Sequence, residues 1–419
     1  MQNIGFNSYY LNFLSLNICL IPFFLVTGPF LSDLSLTICS LSYLFYLFIN
    51  KQLNTFKNFF FIFFLIFYLI LVISSLLSDN ILFSLKSSLP YIRFGLFFMC
   101  FIYISNKDKN LFNKIFLILT IIFLVLIFYG YLQFFTGHNI FQFDKTGVRI
   151  SSFFNDEHIL GSYVARFFPI YLGLFFLWKN KKIILFYEKI FFVIFFLLIS
   201  LLVVISGERT SFGLLVITIL IMFFFLHGIQ KIKIIALIGF ILVNLSFIKI
   251  YPSNFDRLVN ETRDQIIDGE KLFFFGERRH EYAVVSINIF KDHIFLGSGP
   301  KTYRKKSNDE KYMVSRLSWN THPHNLYFQL LAETGIIGTF LIFIVFSYFV
   351  KTLFKEKIFE IKNIDFSYFE SNAKICFIIA IMINIFPLVP SGNFFNNWMS
   401  IVFYYPIAIF FGYSHSLKD

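Results

Sequence analysis

Two histidines flank a proline in His322-Pro323-His324, and the chain continues Asn325-Leu326-Tyr327-Phe328-Gln329-Leu330-Leu331-Ala332-Glu333-Thr334-Gly335. An imidazole takes a proton from a hydroxyl near neutral pH, so histidines at the mouth of a helix are candidate general bases. Asn325, Gln329 and Glu333 recur at every fourth position, which places them on one stripe of a helix. That helix runs into an apolar span, where a carboxylate must face protein or water. The plainer reading is a capped helix with an interfacial histidine. His324 is favoured as the reactive group because it follows Pro323 at the helix mouth. The stripe is read as fixing the helix against its neighbours, with contact between Glu333 and substrate left open.

Arginine supplies the complementary chemistry. Arg209 stands in the tight turn Gly207-Glu208-Arg209-Thr210-Ser211 between two apolar runs. Arg278 and Arg279 precede a helix-like segment, where a planar donor fork and the positive end of a helix suit phosphate oxygens. Asp156, Glu157 and His158 come just before a span that contains Arg166, spaced eight residues from His158 as if on the same helical face. A buried arginine needs a partner, and Asp156, Glu157 or a bound anion would serve. The plainer alternatives are snorkelling to headgroups for Arg209, a solvated turn for Arg278 and Arg279, and an internal ion pair for Arg166. The histidines and acids lack zinc or magnesium spacing, and there is no nucleotide phosphate loop or nucleophile elbow. No metal and no cofactor are therefore expected. The chemistry that fits is group transfer from a pyrophosphate-activated donor outside the cytoplasm, with histidine as base and arginine stabilising the departing pyrophosphate.

The elements that must position these groups are membrane helices. The chain is 57% hydrophobic and only 14% charged, against roughly a quarter charged in a soluble protein. Its 66 phenylalanines fit a genomic codon bias as well as they fit chemistry, so no function is read from them. A crossing needs about 20 apolar residues. Spans are expected near Tyr9–Thr27, Leu31–Ile49, Asn58–Leu77, Leu89–Ser105, Asn113–Phe135, Ile159–Trp178, Ile190–Ser206, Phe212–His227, Lys233–Ile250, Asn325–Val350, Ala373–Val389 and Trp398–Tyr413. The expected fold is an all-α polytopic membrane protein with about twelve transmembrane helices. Residues 1–250 carry nine of them, 251–322 form one large outside loop with short helices, and 323–419 carry the last three. In the long loop, Glu281–Phe290 is helix-like and Gly297-Ser298-Gly299-Pro300 is read as its stop.

Lysines fix the orientation. Lys51/Lys57, Lys107/Lys109/Lys114, Lys179/Lys181/Lys182/Lys189, Lys231/Lys233, Lys351/Lys355/Lys357/Lys362 and Lys418 all fall on alternate loops, while the short loops of the other side are nearly free of lysine, Lys86 and Lys145 being the exceptions. The positive-inside rule then puts both termini in the cytoplasm and the His/Arg set outside. The formal net charge of +12 is thereby explained without nucleic acid, for which there is no basic soluble face. The four cysteines all lie in apolar runs and are read as packing residues. The amino terminus has no basic n-region or cleavage site, so the first run is expected to be retained.

The same residues resemble a known family. His322-Pro323-His324-Asn325-x-Tyr327, with Leu330-Leu331-Ala332-Glu333-Thr334-Gly335 and Gly338, is similar to the signature of the O-antigen ligase and polymerase superfamily. Phe290 through Arg304, Arg149 through Gly161, and Gly207-x-Arg209-Thr210-Ser211 also resemble it. The resemblance implies a metal-independent inner-membrane enzyme, its active site periplasmic, that moves a glycan from undecaprenyl pyrophosphate to an acceptor. It further implies His324 or His322 as general base, and Arg209 with Arg279 or Arg278 on the pyrophosphate. Arg149, Asp156, Glu157, Arg166 and Glu333 are supporting candidates. Lipid A–core is the leading acceptor; a growing glycan chain, as in a polymerase, is the alternative, and a protein acceptor is a third. A transporter or flippase would also have about twelve spans, but the polar residues concentrate at one surface and no repeat halves are seen.

Overall fold

The computed structural model describes residues 8–51, 58–179, 184–268, 271–272, 276–362 and 368–416. Each expected span falls on a helix, since in lipid an apolar run satisfies its backbone only by coiling on itself. The order is α1 (Ser8–Thr27), α2 (Pro29–Ile49), α3 (Phe59–Leu76), α4 (Ile81–Ser88), α5 (Ile92–Lys107), α6 (Leu111–Thr136), α7 (Leu160–Lys179), α8 (Phe186–Ile205), α9 (Arg209–Phe225) and α10 (Gln230–Ile250). The long loop holds α11 (Pro252–Phe255), α12 (Glu261–Ile266), a two-residue antiparallel pair β1 (Ile267–Asp268) and β2 (Lys271–Leu272), α13 (Glu277–Asp292) and α14 (Tyr303–Lys306). Then follow α15 (Leu326–Lys362), α16 (Tyr368–Met382) and α17 (Asn397–Ser416).

Among the described residues, nine helices are long and apolar enough to cross a membrane, with α4 and α5 counted as one. α9 is apolar but shorter, at 17 residues. The chain is thus an all-α polytopic membrane protein, and the count of twelve crossings remains an expectation. α7 is buried along nearly its whole length and stands at the centre, packed on α16. Gly173 permits that approach: a Cβ there would meet the Phe377 ring and the Ala373 carbonyl. All four cysteines are free and buried.

The connections expected outside gather at one end of the bundle. α4 meets the long loop through Ser84 Oγ, which donates to the Pro300 carbonyl (3.1 Å), and the α3–α4 turn meets it through the Lys306–Asp79 ion pair. The α16–α17 connection meets the start of α15 through Asn325 Nδ2 to the Pro387 carbonyl (2.9 Å). The α8–α9 turn takes a bond from Arg257 Nε to the Gly207 carbonyl (2.9 Å). At the other end lie Lys114 with Asp108 and Lys179 with Glu188. Lys57, Lys181, Lys182 and Lys418 are outside the described residues.

Three local expectations are corrected. The helix expected after Arg279 instead spans Glu277–Asp292, with Arg278 and Arg279 in its first turn, and ends at His293, so Gly297–Pro300 do not stop it. His158 precedes α7 rather than lying on it, so it shares no helical face with Arg166. The last long span does not end near Val350 but runs to Lys362, and its regular backbone breaks at Gly335 (φ 63, ψ −166), a conformation open essentially only to glycine.

Candidate active site

The histidine pair is held by the chain around it. Asn325 caps α15, its Oδ1 accepting from Tyr327 N (3.0 Å) and Phe328 N (3.3 Å). Just before the cap, His324 sits in the left-handed region with φ 56, a costly place for a residue other than glycine or asparagine. Its carbonyl accepts from Ser391 N at 2.9 Å. Asn320 Oδ1 accepts from Thr321 N (2.6 Å), so its amide nitrogen faces His324 Nε2 at 3.1 Å and donates to it. That leaves the ring proton of His324 on Nδ1. His322 Nδ1 lies 3.0 Å from Thr321 Oγ1, and the two imidazoles are 4.2 Å apart between centroids. Tyr282 of α13 backs His324 at 5.9 Å.

Burial, with Arg279 adding to it, pushes His324 down to about 4. Burial, then His324 and Arg304, pushes His322 down to about 3. Burial and the neighbouring charges therefore favour the neutral form of both imidazoles at neutral pH, the form that accepts a proton, at the cost of low basicity.

Beside His324 lies a cluster of arginines from three segments distant in sequence. Arg209 opens α9 immediately after Glu208, whose carboxylate accepts from Gly161 N (2.6 Å), Ser162 N (3.0 Å) and Ser211 Oγ (2.8 Å). Glu208 thus caps the positive end of α7 and pins the turn that carries Arg209. Burial raises the Glu208 carboxyl to about 7 against the pull of those bonds and of Arg149, although the residue as a whole is only half-buried. Arg257 and Arg209 share Glu261, at 3.4 and 3.9 Å from its carboxylate. Arg149 reaches the His158 carbonyl at 3.4 Å and feels both Arg257 and Arg209. Arg279 is half-buried and held below its usual value by burial and then by Arg209, while Arg278 is exposed. Arg149 Nε and Arg209 Nη1 are buried without a hydrogen-bond partner. Four guanidiniums close to two carboxylates, with donors to spare, make an anion site next to a neutral histidine.

The polar stripe below the histidines is structural. Gln329 Nε2 donates to Glu333 Oε2 and to Asn393 Oδ1, both at 2.9 Å, and its Oε1 accepts from Phe394 N at 3.0 Å. Glu333 Oε1 accepts from Tyr303 N at 2.9 Å. Where α15 breaks, the Ala332 and Glu333 carbonyls accept from Ser298 N (2.9 Å) and Gly299 N (3.0 Å), while Ile336 N donates to the Ile294 carbonyl at 2.8 Å. The long loop is thereby threaded into the break in α15, which sets α13 and its Arg279 beside His324.

The remaining candidates lie apart. Asp156 and Glu157 are exposed and hold no bond to Arg166. Arg166 is buried in α7, bonded to Asn384 Oδ1 (2.9 Å) and to Ser162. Arg257, Glu208 and Asn320 had not been singled out from the sequence. Glu208 was visible within the Arg209 turn, but nothing in the spacing around Arg257 sets it apart from the acidic residues near it. Among the described residues, no three His, Cys, Asp or Glu gather into a group that would hold a metal ion.

Residues 194–343 match the model of the family described as O-antigen ligase. The chain carries an O-antigen ligase domain. The match runs from within α8 to within α15, so it contains Arg209, Arg257, Arg279, both histidines and Glu333. Arg149, Asp156, Glu157 and Arg166 precede it. A search of curated proteins finds no match. The match supports the O-antigen ligase and polymerase superfamily, and with it ligase or polymerase activity on lipid-linked glycans in general terms.

Proposed function

We propose that the chain is a ligase-type glycosyltransferase that moves a glycan from undecaprenyl pyrophosphate to lipid A–core. The site is placed on the periplasmic side of the inner membrane, with both chain termini cytoplasmic. The observation that carries this reading is the neutral His324 beside Arg279 and Arg209, all within the segment that matches the O-antigen ligase family. In the step proposed, the donor pyrophosphate lies against Arg209, Arg279 and Arg257. An acceptor hydroxyl displaces Asn320 from His324 Nε2 and gives up its proton there as its oxygen attacks the anomeric carbon. The new glycosidic bond forms while the bond from that carbon to the pyrophosphate oxygen breaks. The electron pair leaves with the pyrophosphate, whose growing charge the guanidiniums stabilise. Bound pyrophosphate also screens His324 from Arg279 and so raises its basicity when it is needed. No metal enters the step.

A deletion strain tests the function. Free lipid A–core together with accumulated lipid-linked polymer is the expected result. Lipid A–core capped with single repeats would instead assign the polymerase reaction to this site.

A further inference from the structure

A second cationic site shares no residue with the arginine cluster and is linked to the histidines through Arg304, whose charge bears on both His322 and Lys301. A polar cavity of about 250 Å³ is lined by Asp33, Lys86, Tyr91, Arg93, Lys301 and Asn397, among others. It is built where the outer ends of α2, α5 and α17 meet the long loop. Lys86 is exposed and Tyr91 buried, so the cavity runs inward from the surface. Three cations face one carboxylate there. Asp33 is engaged by Arg93 at 2.7 Å, and the same nitrogen reaches Asn397 Oδ1 at 3.0 Å. Arg93 is thus held in one orientation, and its Nε is buried without a hydrogen-bond partner.

Lys301 is more unusual. Its backbone is left-handed, with φ 63, and it follows Pro300, whose carbonyl is tied to Ser84. Lys305 Nζ bonds Asn80 Oδ1 at 2.9 Å, and Lys306 pairs with Asp79, so the segment bearing Lys301 is anchored on both sides. Burial, then Arg304, hold the Lys301 ammonium below its ordinary value. Lys86 lies in the short connection that carries α4, on the face expected outside, where the positive-inside rule selects against lysine. An excess of two positive charges, preorganised and partly dried, suits a doubly charged tetrahedral oxyanion. The room is enough for a phosphate and an attached sugar ring, not for a whole glycolipid.

We propose that this cavity binds the phosphate of a membrane-embedded amphiphile, and that the arginine cluster and this cavity hold two different anions. Only the ligand's assignment as the acceptor glycolipid rests on the transfer reaction proposed above. A phospholipid headgroup also offers a phosphate, as a singly charged diester.

Direct binding tests the site without catalysis. The full chain in phosphatidylcholine nanodiscs is titrated with bisphosphorylated lipid A and with the same lipid after phosphatase treatment. Wild type and Arg279→Gln should prefer the phosphorylated lipid by roughly tenfold or more, and Lys301→Gln should lose that preference. Lys301→Arg should restore it, which separates charge from folding. Nanodiscs doped with phosphatidylglycerol then identify the source: full competition assigns the site to headgroups, and retained preference assigns it to the acceptor. Equal affinity of wild type for both lipids, or an unchanged preference in Lys301→Gln, would overturn the site. Neither result depends on whether transfer is observed.

Discussion

Substituting Arg279 by Gln should move the acidic limb of the pH–rate profile upward. His324 must be neutral to accept a proton, and two causes keep it so: burial first, then the Arg279 charge, together holding it near 4. Both disfavour imidazolium, so both push the limb down. In wild type, the limb of kcat/KM for the donor, which reports the free enzyme, should lie near 4, well below the ordinary histidine value of about 6.5. Arg279→Gln removes the second cause and leaves the first. A neighbouring unit charge at an effective dielectric of about 20 is worth on the order of 2 kcal/mol, and screening reduces it. The limb should therefore rise on the order of one pH unit and still fall short of the unperturbed value. The overall rate should drop by about 10²–10³, the usual cost of a lost oxyanion donor. Initial rates for both proteins from pH 3 to 8 at low donor concentration, with enzyme stability checked at each pH, test this. A wild-type limb near the ordinary histidine value, or an unmoved limb in Arg279→Gln, would refute the coupling between the two residues.

Arg257→Gln should lower transfer about as much as Arg209→Gln, while Arg278→Gln stays within about twofold of wild type, because only Arg278 points away from the cluster; comparable losses at Arg278 and Arg279 would contradict that placement. Gly335→Ala should fail to give a monodisperse protein by fluorescence-detected size exclusion, since a Cβ there runs into the Phe295 and Leu296 backbone and strain at such a backbone position costs about 1–3 kcal/mol before any clash. A wild-type elution profile would show that the break in α15 is not required. Glu333→Ala should lower the unfolding temperature by leaving Tyr303 N unsatisfied at a cost of about 1–3 kcal/mol, without moving the acidic limb; a shifted limb with unchanged stability would make Glu333 a reacting group instead. Transfer should persist in chelator, and inhibition reversed by a divalent cation would argue for a metal-dependent step.

The helices were legible because bilayer thickness imposes one length on every apolar run, and the lysine pattern separated the loops into two sets that the fold gathers at opposite ends. The histidine pair was legible because Pro323 and the Asn325 cap are local features. What joins residues far apart was not. Arg257 reaches the site only because α10 ends beside the Arg209 turn. Arg278 and Arg279 differ by one step of about 100° around α13, and no local feature says which faces inward. The helical pattern runs unbroken through Thr334 and Gly335, so the break was hidden until Ser298 and Gly299 were seen bonding to the carbonyls it releases. The glycines near Pro300 were misread as a helix stop for the same reason. Gly297 is needed where the loop backbone presses on Glu333 and Thr334.

The most direct test of the catalytic account is His324→Asn in a purified, reconstituted transfer assay with an undecaprenyl-pyrophosphate-linked donor. Asparagine tolerates a left-handed φ of 56 better than histidine does, so the fold should be kept and the unfolding temperature unchanged or slightly raised. It cannot serve as a base, so transfer should fall by about 10² or more while donor binding persists. A folded His324→Asn protein that transfers glycan at the wild-type rate would contradict the account.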